Sequence, residues 1–426
     1  MNNLRWLIHE ELIKNLTPID KETTIEKSGI PMTYDDTKLY IDNSEVNSLV
    51  IGTTGSGKTQ STLLPQARLS IRAGETIVVN DIKGEIKELL TEDLNKYGYN
   101  TIVINLGDPT NSNFYNPLKM PHDLYKNGNR DQAMELLENI AYYLLSEKKS
   151  NNSDPFWENS AINYFTGLAL YLFEKSNEEV TLNSILDLST EINSSKEKLE
   201  AIKSEIANNQ SANINLIGIL QAPVETRGSI ISVFSQKIKL YVSRQNLSNM
   251  MSKTDFDMIE AINGKTAIFI VSGTAQYASS LISLIINQIY YCIDIYGNKK
   301  KRVNVLLDEF GKMKAMKDII SIINNSRSIN IKLTLFIMSF LELKNAYGDE
   351  LTELIKISCS NIIYLLANDI ETLDEISKMC GYEKTGNRLI TPEELKLLDK
   401  FEAIILVPRL LPIKTKLIAD YLIEWD

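Results

Sequence analysis

Residues Val46–Gln60 read VNSLVIGTTGSGKTQ, and Gly52–Thr59 within them fits the pattern G-x-x-x-x-G-K-[ST] at every position. A β-favouring run, Ser48–Ile51, leads into this loop and a helical pattern leaves it, which is the strand–loop–helix setting a phosphate-binding loop requires. Gly52, Gly55 and Gly57 let the backbone curl until successive N–H groups point at phosphate oxygens. The helix that starts near Lys58 adds the positive end of its dipole. Thr53, Thr54, Ser56 and Gln60 complete the cradle. Lys58 is placed to reach β- and γ-phosphates, and the Thr59 hydroxyl to ligate Mg²⁺. The stretch therefore predicts that the chain binds a nucleoside triphosphate, within an α/β fold.

The whole chain is consistent with that start. Its 426 residues allow two to three domain equivalents, or one large domain with an insertion. Hydrophobic residues at 43% and charged residues at 23% are ordinary for a globular protein with a sizeable core. Cys292, Cys359 and Cys380 show no paired spacing, so neither a disulfide framework nor a thiolate metal site is expected. His9 and His122 are the only histidines, which excludes a His-based metal cluster and Ser-His-Asp catalysis. The N-terminus lacks the continuous apolar core of a signal peptide. Ser279–Tyr296, the most apolar long stretch, is interrupted by Asn287, Gln288 and Asp294 and reads as a buried helix. A formal charge of −10 argues against wholesale coating of nucleic acid, while a local basic loop inside a ring remains able to touch phosphates; a basic loop stands at Asn298–Arg302.

Outward from the loop, Thr59–Arg72 reads as a helix, Thr76–Asn80 as an apolar strand, Glu85–Tyr97 as a helix and Thr101–Asn105 as a strand. This β-α-β-α-β alternation predicts a parallel sheet with helices on both faces. The charged cluster Asp81-Ile82-Lys83-Gly84-Glu85 follows directly on a strand, at the edge where such sheets place ligands; Asp81 is equally suited to capping the next helix. From about Leu118 to Ile262 only helical periodicity appears, including Asp131–Leu145, Asn159–Phe173 and Ile214–Tyr241. Strand runs resume at Thr266–Val271, Val303–Leu307, Lys332–Met338, Asn361–Leu366 and Ala403–Val407. The expectation is a nucleotide-binding domain of about eight strands over residues 46–117 and 264–426, an inserted all-α domain over 118–263, and a covering segment over 1–45. Within that segment a short helix is expected in Leu4–Leu16 and a hairpin in Tyr34–Ile41, and Ser146–Ser153 is expected to be an exposed loop.

A second nucleotide motif is Val303–Glu309, an apolar strand ending in Asp-Glu. Asp308 at its end is placed to hold Mg²⁺ through water, and Glu309 to orient or deprotonate the attacking water. Adjacent acids of this kind separate a hydrolysing motor from a nucleotide switch. Arg327 follows the next helix, where ring-shaped motors project an arginine into the neighbouring subunit's site; an exposed helix-terminal arginine facing the dipole is the other reading.

The motifs together resemble the type IV secretion coupling proteins, the VirD4/TraG-like conjugation ATPases. The resemblance runs through Gly52–Thr59, then Asp81–Glu85, similar to their Asp-Pro-Lys-Gly-Glu. It continues through Asn116–Leu118, Asp154–Trp157, Ser252–Asp257, Leu307–Gly311 and Thr391–Leu395. It implies a RecA-like P-loop sheet with an inserted all-α domain, ATP and Mg²⁺ as cofactors, and Arg327 as the trans-acting arginine. It further implies a membrane-associated hexameric ring that hands relaxase-bound single-stranded DNA to a conjugative secretion channel from the cytoplasmic side, with the chain able to be monomeric in isolation. Ile82 stands where that family carries proline. Met338 stands where it carries glutamine, so the coupling of hydrolysis to movement is expected to be altered. No apolar spanning stretch stands ahead of the P-loop, so a separate membrane partner is expected. Two alternatives remain: a nucleotide-regulated adaptor that recruits substrate with little turnover, and a DNA translocase of the FtsK/HerA type, which lacks the Asp81–Glu85 and Thr391–Leu395 signatures.

Overall fold

Ser48–Gly52 is buried along its whole length, and the strands that bury it come from far along the chain. The computed structural model describes residues 5–147, 154–275 and 277–425. In chain order the strands are β1 (Thr17–Ile19), β2 (Ile30–Tyr34), β3 (Leu39–Asp42), β4 (Ser48–Gly52), β5 (Thr76–Asp81), β6 (Asn100–Asn105), β7 (Thr266–Val271), β8 (Val303–Leu307), β9 (Ile331–Ile337), β10 (Asn361–Leu366), β11 (Glu402–Leu406) and β12 (Ile413–Lys416). Nine of them make one sheet in the order β12-β11-β10-β4-β9-β8-β5-β7-β6. The pairs from β10 to β7 are parallel. The sheet closes at one edge with antiparallel β11 and β12. β4, β5, β7, β8 and β9 are buried at every residue, as strands covered on both faces must be. The sheet thus has nine strands, where eight are expected from sequence. The additional one, β12, alternates buried and exposed residues at an edge and carries lysines there.

The expected hairpin within Tyr34–Ile41 forms as β2 and β3, but it belongs to a separate three-stranded sheet in the order β1-β3-β2. Among the described residues of the segment expected to be helical, only His9–Leu12 and a short 3₁₀ turn, Ile13–Asn15, wind up. The covering segment is held to the amino-terminal edge of the large sheet by buried polar groups. The Arg302 guanidinium donates to the carbonyls of Ser28 at 2.9 Å and Asn43 at 3.2 Å. Lys332, fully buried in β9, donates to the carbonyls of Asp42 at 2.9 Å and Ser44 at 3.1 Å. Asn304 donates to Glu75 at 2.7 Å, and the same carboxylate accepts from Ser28. Arg302, the end of the basic loop, is therefore a structural cation.

The chain divides into two compact units. One comprises the chain up to Val103, Met258–Ser272 and Ile289 onward; the other comprises Ile104–Asp257 and Gly273–Gln288. The second is built from helices, among them Arg130–Leu145, Pro155–Lys175, Leu182–Ile192, Lys196–Ile206, Gln210–Gln221 and Val224–Val242. Asp154 caps Pro155–Lys175, accepting from the Phe156 N–H at 2.9 Å, and proline opens its first turn. Gly167 in that helix lets Gln210–Gln221 come close: a Cβ there would stand 2.8 Å from Leu216 Cδ2. The single helix expected at Ile214–Tyr241 is two, broken at Pro223, which cannot donate to a continuing helix. Of the loop expected at Ser146–Ser153, residues 148–153 lie outside the described residues. Ala278–Tyr296 is the one helix among the described residues long and apolar enough to cross a membrane, and 72% of its apolar window is buried inside the protein. Its asparagine and glutamine, Asn287 and Gln288, are buried with it. Cys292, Cys359 and Cys380 are buried.

Candidate nucleotide site

At the carboxyl edge of the parallel strands a cleft of about 300 Å³ is lined by Thr53, Thr54, Gly55, Gly57, Lys58, Thr59, Gln60, Asp81, Ile82, Lys83, Glu85, Ile86, Asp308, Glu309 and Lys400. β4 delivers the loop, β5 ends in Asp81 and β8 is followed by Asp308, so three strands bring together residues 250 positions apart. This is the edge where open parallel sheets hold ligands.

The loop is shaped for phosphate. Gly55 and Gly57 have φ of +83° and +99°, a region costly for residues with a Cβ. At Gly57 there is also no space, since a Cβ would stand 2.7 Å from Phe401 Cε1. Thr59–Leu63 winds as a π-helical turn and continues as the α-helix Leu64–Arg72, so the loop ends on a helix N-terminus. Lys58 is 8% exposed, and its ammonium donates to the carbonyl of Gly52. Burial pushes its pKa down; Asp308, Glu309 and Glu342 pull it back up. Ser56 Oγ is buried without a hydrogen-bond partner among the described residues. A buried ammonium, an orphaned hydroxyl and a left-handed glycine cradle fit the phosphates of a nucleotide. Gly52, Ser56 and Gly84 support the cleft wall without lining it.

The acidic side has its own geometry. Glu309 adopts φ +50° and ψ +44°, a left-handed conformation that costs a non-glycine residue roughly 1–2 kcal/mol. This kink turns the chain at the end of β8 and brings both Asp308 and Glu309 to the cleft. The Glu309 carboxylate is ion-paired with Lys312 one 3₁₀ turn on. Asn80 Nδ2 donates to the Asp308 carbonyl at 2.7 Å, tying β5 to the turn. Asp81 is 1% exposed and caps Glu85–Lys96, accepting from the N–H groups of Gly84 and Lys87, both at 2.9 Å. The helix-capping reading of Asp81 thus holds, and Lys83 and Glu85 are the members of that cluster that reach into the cleft with solvent access.

Burial pushes the Asp308 carboxyl up to about 6; Lys58 lowers it and Glu309 raises it. The folded pKa therefore lies above the unfolded one, near 3.9. Between those values the folded chain holds a proton that the unfolded chain has released. This group's contribution is full below about pH 4 and is lost as pH rises through about 6, an ionised Asp308 costing about 3 kcal/mol at pH 7. We expect Asp308→Asn to melt above the parent at pH 7.5, by less than that figure because Lys58 loses an opposite charge. Thermal melts from pH 4 to 8 check this: the gap should close towards pH 4, and a gap independent of pH would be the wrong result.

Arg327 does not join the cleft. It is exposed at the end of the helix Ile319–Ser326, ahead of β9. The opposite end of β9 pairs with the loop strand, Ile337 beside Ile51. Seven residues of strand separate them, roughly 20 Å. Met338 also stands outside the lining; its N–H donates to Glu342 Oε2 at 2.8 Å. Sequence reading missed Lys312, Glu342 and Lys400. Lys312 and Glu342 carry the ordinary i+3 and helix-cap spacings of surface residues, and Lys400 lies in a connection with no motif.

The family model described as Type IV secretory system Conjugative DNA transfer matches residues 3–385. The type IV secretion system-coupling protein VirD4 of Bartonella henselae is 24% identical over 394 residues, covering 88% of this chain and 59% of the relative. The conjugal transfer protein TraG of Rhizobium radiobacter is 24% identical over 347 residues, covering 79% of this chain and 52% of the relative. The chain thus spans little more than half the length of these relatives. Among solved structures, plasmid coupling protein TrwB in complex with ADP and Mg²⁺ superposes with a TM-score of 0.71 at 16% identity, covering 98% of this chain and 94% of that one. The shared architecture is the RecA-like sheet with its helical insertion, and with nine-tenths of its length matched by the model, this chain belongs to the type IV secretory system conjugative DNA transfer family.

Proposed function

We propose that this chain is the ATP-hydrolysing coupling protein of a conjugative type IV secretion system, recruiting relaxase-bound single-stranded DNA to the channel and driving its transfer. The observation that carries the reading is the convergence of Lys58 and Thr59 with Asp308 and Glu309 in one cleft. The TrwB relative with ADP and Mg²⁺ supports the cofactor assignment. Bound Mg²⁺·ATP supplies the transferable γ-phosphoryl group and the ion that neutralises its charge. Lys58 binds the β- and γ-phosphates, with the N–H groups of Gly52–Gln60 around them. Thr59 and Asp308 hold the ion, and Glu309 orients the attacking water and takes its proton. Residues 118–263 act as the inserted all-α domain of a nucleotide-binding domain formed by 46–117 and 264–426, and the assembled form is a hexamer at the cytoplasmic face of the membrane. The test is phosphate release by the purified chain with Mg²⁺·ATP, with and without single-stranded DNA. Turnover raised by DNA supports the reading, and binding of a relaxase with no turnover under any condition favours the adaptor instead.

Arg327, exposed and away from its own cleft, stabilises γ-phosphate charge in the neighbouring subunit's site in this reading. Arg327→Ala and Lys58→Ala chains are each expected to be inactive, and an equimolar mixture to regain part of the activity, because some interfaces then pair an intact Arg327 with an intact Lys58. Parental turnover by Arg327→Ala alone would return this residue to the helix-terminal reading.

A further inference from the structure

The cleft has two ends, set by strand order. Strands β9, β8 and β5 lie on one side of β4, and β10 and β11 on the other. The acids Asp308 and Asp81 come from the first side; Lys400, two residues ahead of β11, comes from the second, and all three line the same cleft. β11 reaches this edge because it runs antiparallel to β10, Ile404 facing Tyr364, while Leu366 at the end of β10 faces Gly52.

The turn that carries Lys400 is a built one. The Asp399 N–H donates to Glu402 Oε2 at 3.0 Å, the Glu402 N–H donates to the Asp399 carbonyl at 2.9 Å, and the Phe401 carbonyl accepts from the Leu417 N–H at 2.8 Å. Phe401 itself is held at φ +70°, a conformation an aromatic residue adopts only when its surroundings impose it. Its ring lies against Gly57, 2.7 Å from where a Cβ would be. The Lys400 ammonium stands 5.2 Å from the centre of that ring. Strain is therefore spent on seating one aromatic ring against the phosphate loop and placing one cation beside it.

A nucleotide whose terminal phosphate lies at Asp308 and Glu309 extends across the loop away from β8, towards β11. We propose that Lys400 binds the nucleoside end of the nucleotide by donating to its α-phosphate, with Phe401 as the prop that sets the height of both Lys400 and the loop. This rests on the nucleotide reading of the cleft given above. Because ADP and ATP share the α-phosphate, Lys400 should serve both equally, unlike a group aimed at the γ-phosphate.

The experiment is equilibrium binding of a fluorescent ADP and of a non-hydrolysable ATP analogue to the full chain, its Lys400→Ala form and its Lys400→Arg form. Lys400→Ala is expected to weaken both ligands by the same factor, about tenfold for one charge-assisted hydrogen bond. Lys400→Arg should recover most of that loss. Lys400 is an exposed side chain, so the variants should keep the parental melting temperature, which is measured alongside. Unchanged affinity for both ligands overturns the proposal while leaving the nucleotide reading intact. A loss confined to the ATP analogue also overturns it, by moving Lys400 to the γ-phosphate end. Failure of the unaltered chain to bind either ligand overturns the nucleotide reading, and this proposal with it.

Discussion

A chain carrying Lys58→Ala turns over ATP at least 100-fold more slowly than the parent. Removing one preorganised donor from charge that develops in a transition state costs about 3–4 kcal/mol, a factor of roughly 10²–10³. Here two further losses accompany it. The ammonium is buried beside the acids, so it also lowers the pKa of Asp308. Its removal lets that pKa climb above about 6, and less of the ion-holding carboxylate is charged at neutral pH. The Gly52 carbonyl, which accepts from Lys58, loses its partner too. Affinity for Mg²⁺·ATP should therefore fall together with turnover, and the pH at which activity appears should shift upward. Phosphate release across pH 6–9, with a thermal melt to show that the fold persists, checks all three; a variant retaining a tenth of parental activity sinks the assignment.

Glu309→Gln separates binding from chemistry. Glutamine matches the shape of glutamate and keeps an acceptor, but it does not take a proton at neutral pH. Loss of a general base costs about 10²–10⁴-fold in rate. The left-handed backbone at φ +50° is no harder for glutamine than for glutamate, so the turn that also presents Asp308 should survive. The variant removes one negative charge from a cleft meant for phosphates, and it frees Lys312 from its ion pair. Nucleotide affinity is thus expected to hold or tighten while turnover falls below a hundredth of the parent's. Measured by equilibrium binding and by single-turnover hydrolysis, unchanged turnover would remove Glu309 from the mechanism, and lost binding would show that its role is structural.

These two residues were legible before any coordinates because their chemistry fixes their neighbours. A phosphate loop needs glycines at set positions, and an acid beside magnesium needs an apolar strand to end on. The parallel strands announce themselves as largely apolar runs, since both faces are covered. β12 does not, because an edge strand with lysines and nearby prolines reads as a loop. Arg302 and Lys332 are ordinary basic residues in sequence, and only the fold shows that backbone carbonyls of the covering segment surround them. Lys400 and Phe401 are illegible for a similar reason: their place is set by an antiparallel return, and the Phe401 ring meets a glycine more than 340 positions earlier. Asp81 shows the reverse, a motif residue whose charge is spent on capping a helix.

The position of β4 in the sheet has a consequence for how the protein is made. Its two partners are β9 and β10, and β9 begins 279 positions after β4 ends (331 less 52). At ribosomal rates of about 5–20 residues per second, that strand waits some 15–60 s for its first neighbour. During that interval a strand destined for full burial lacks both of its native neighbours, and the phosphate loop lacks the Asp308–Glu309 side of its cleft. The cleft is complete only once Asp308, Glu309 and Lys400 have emerged, long after the loop itself. Synthesis of this chain is therefore a long exposure of a strand that ends up wholly buried, Ser48–Gly52, whose two partners are complete only at residue 366.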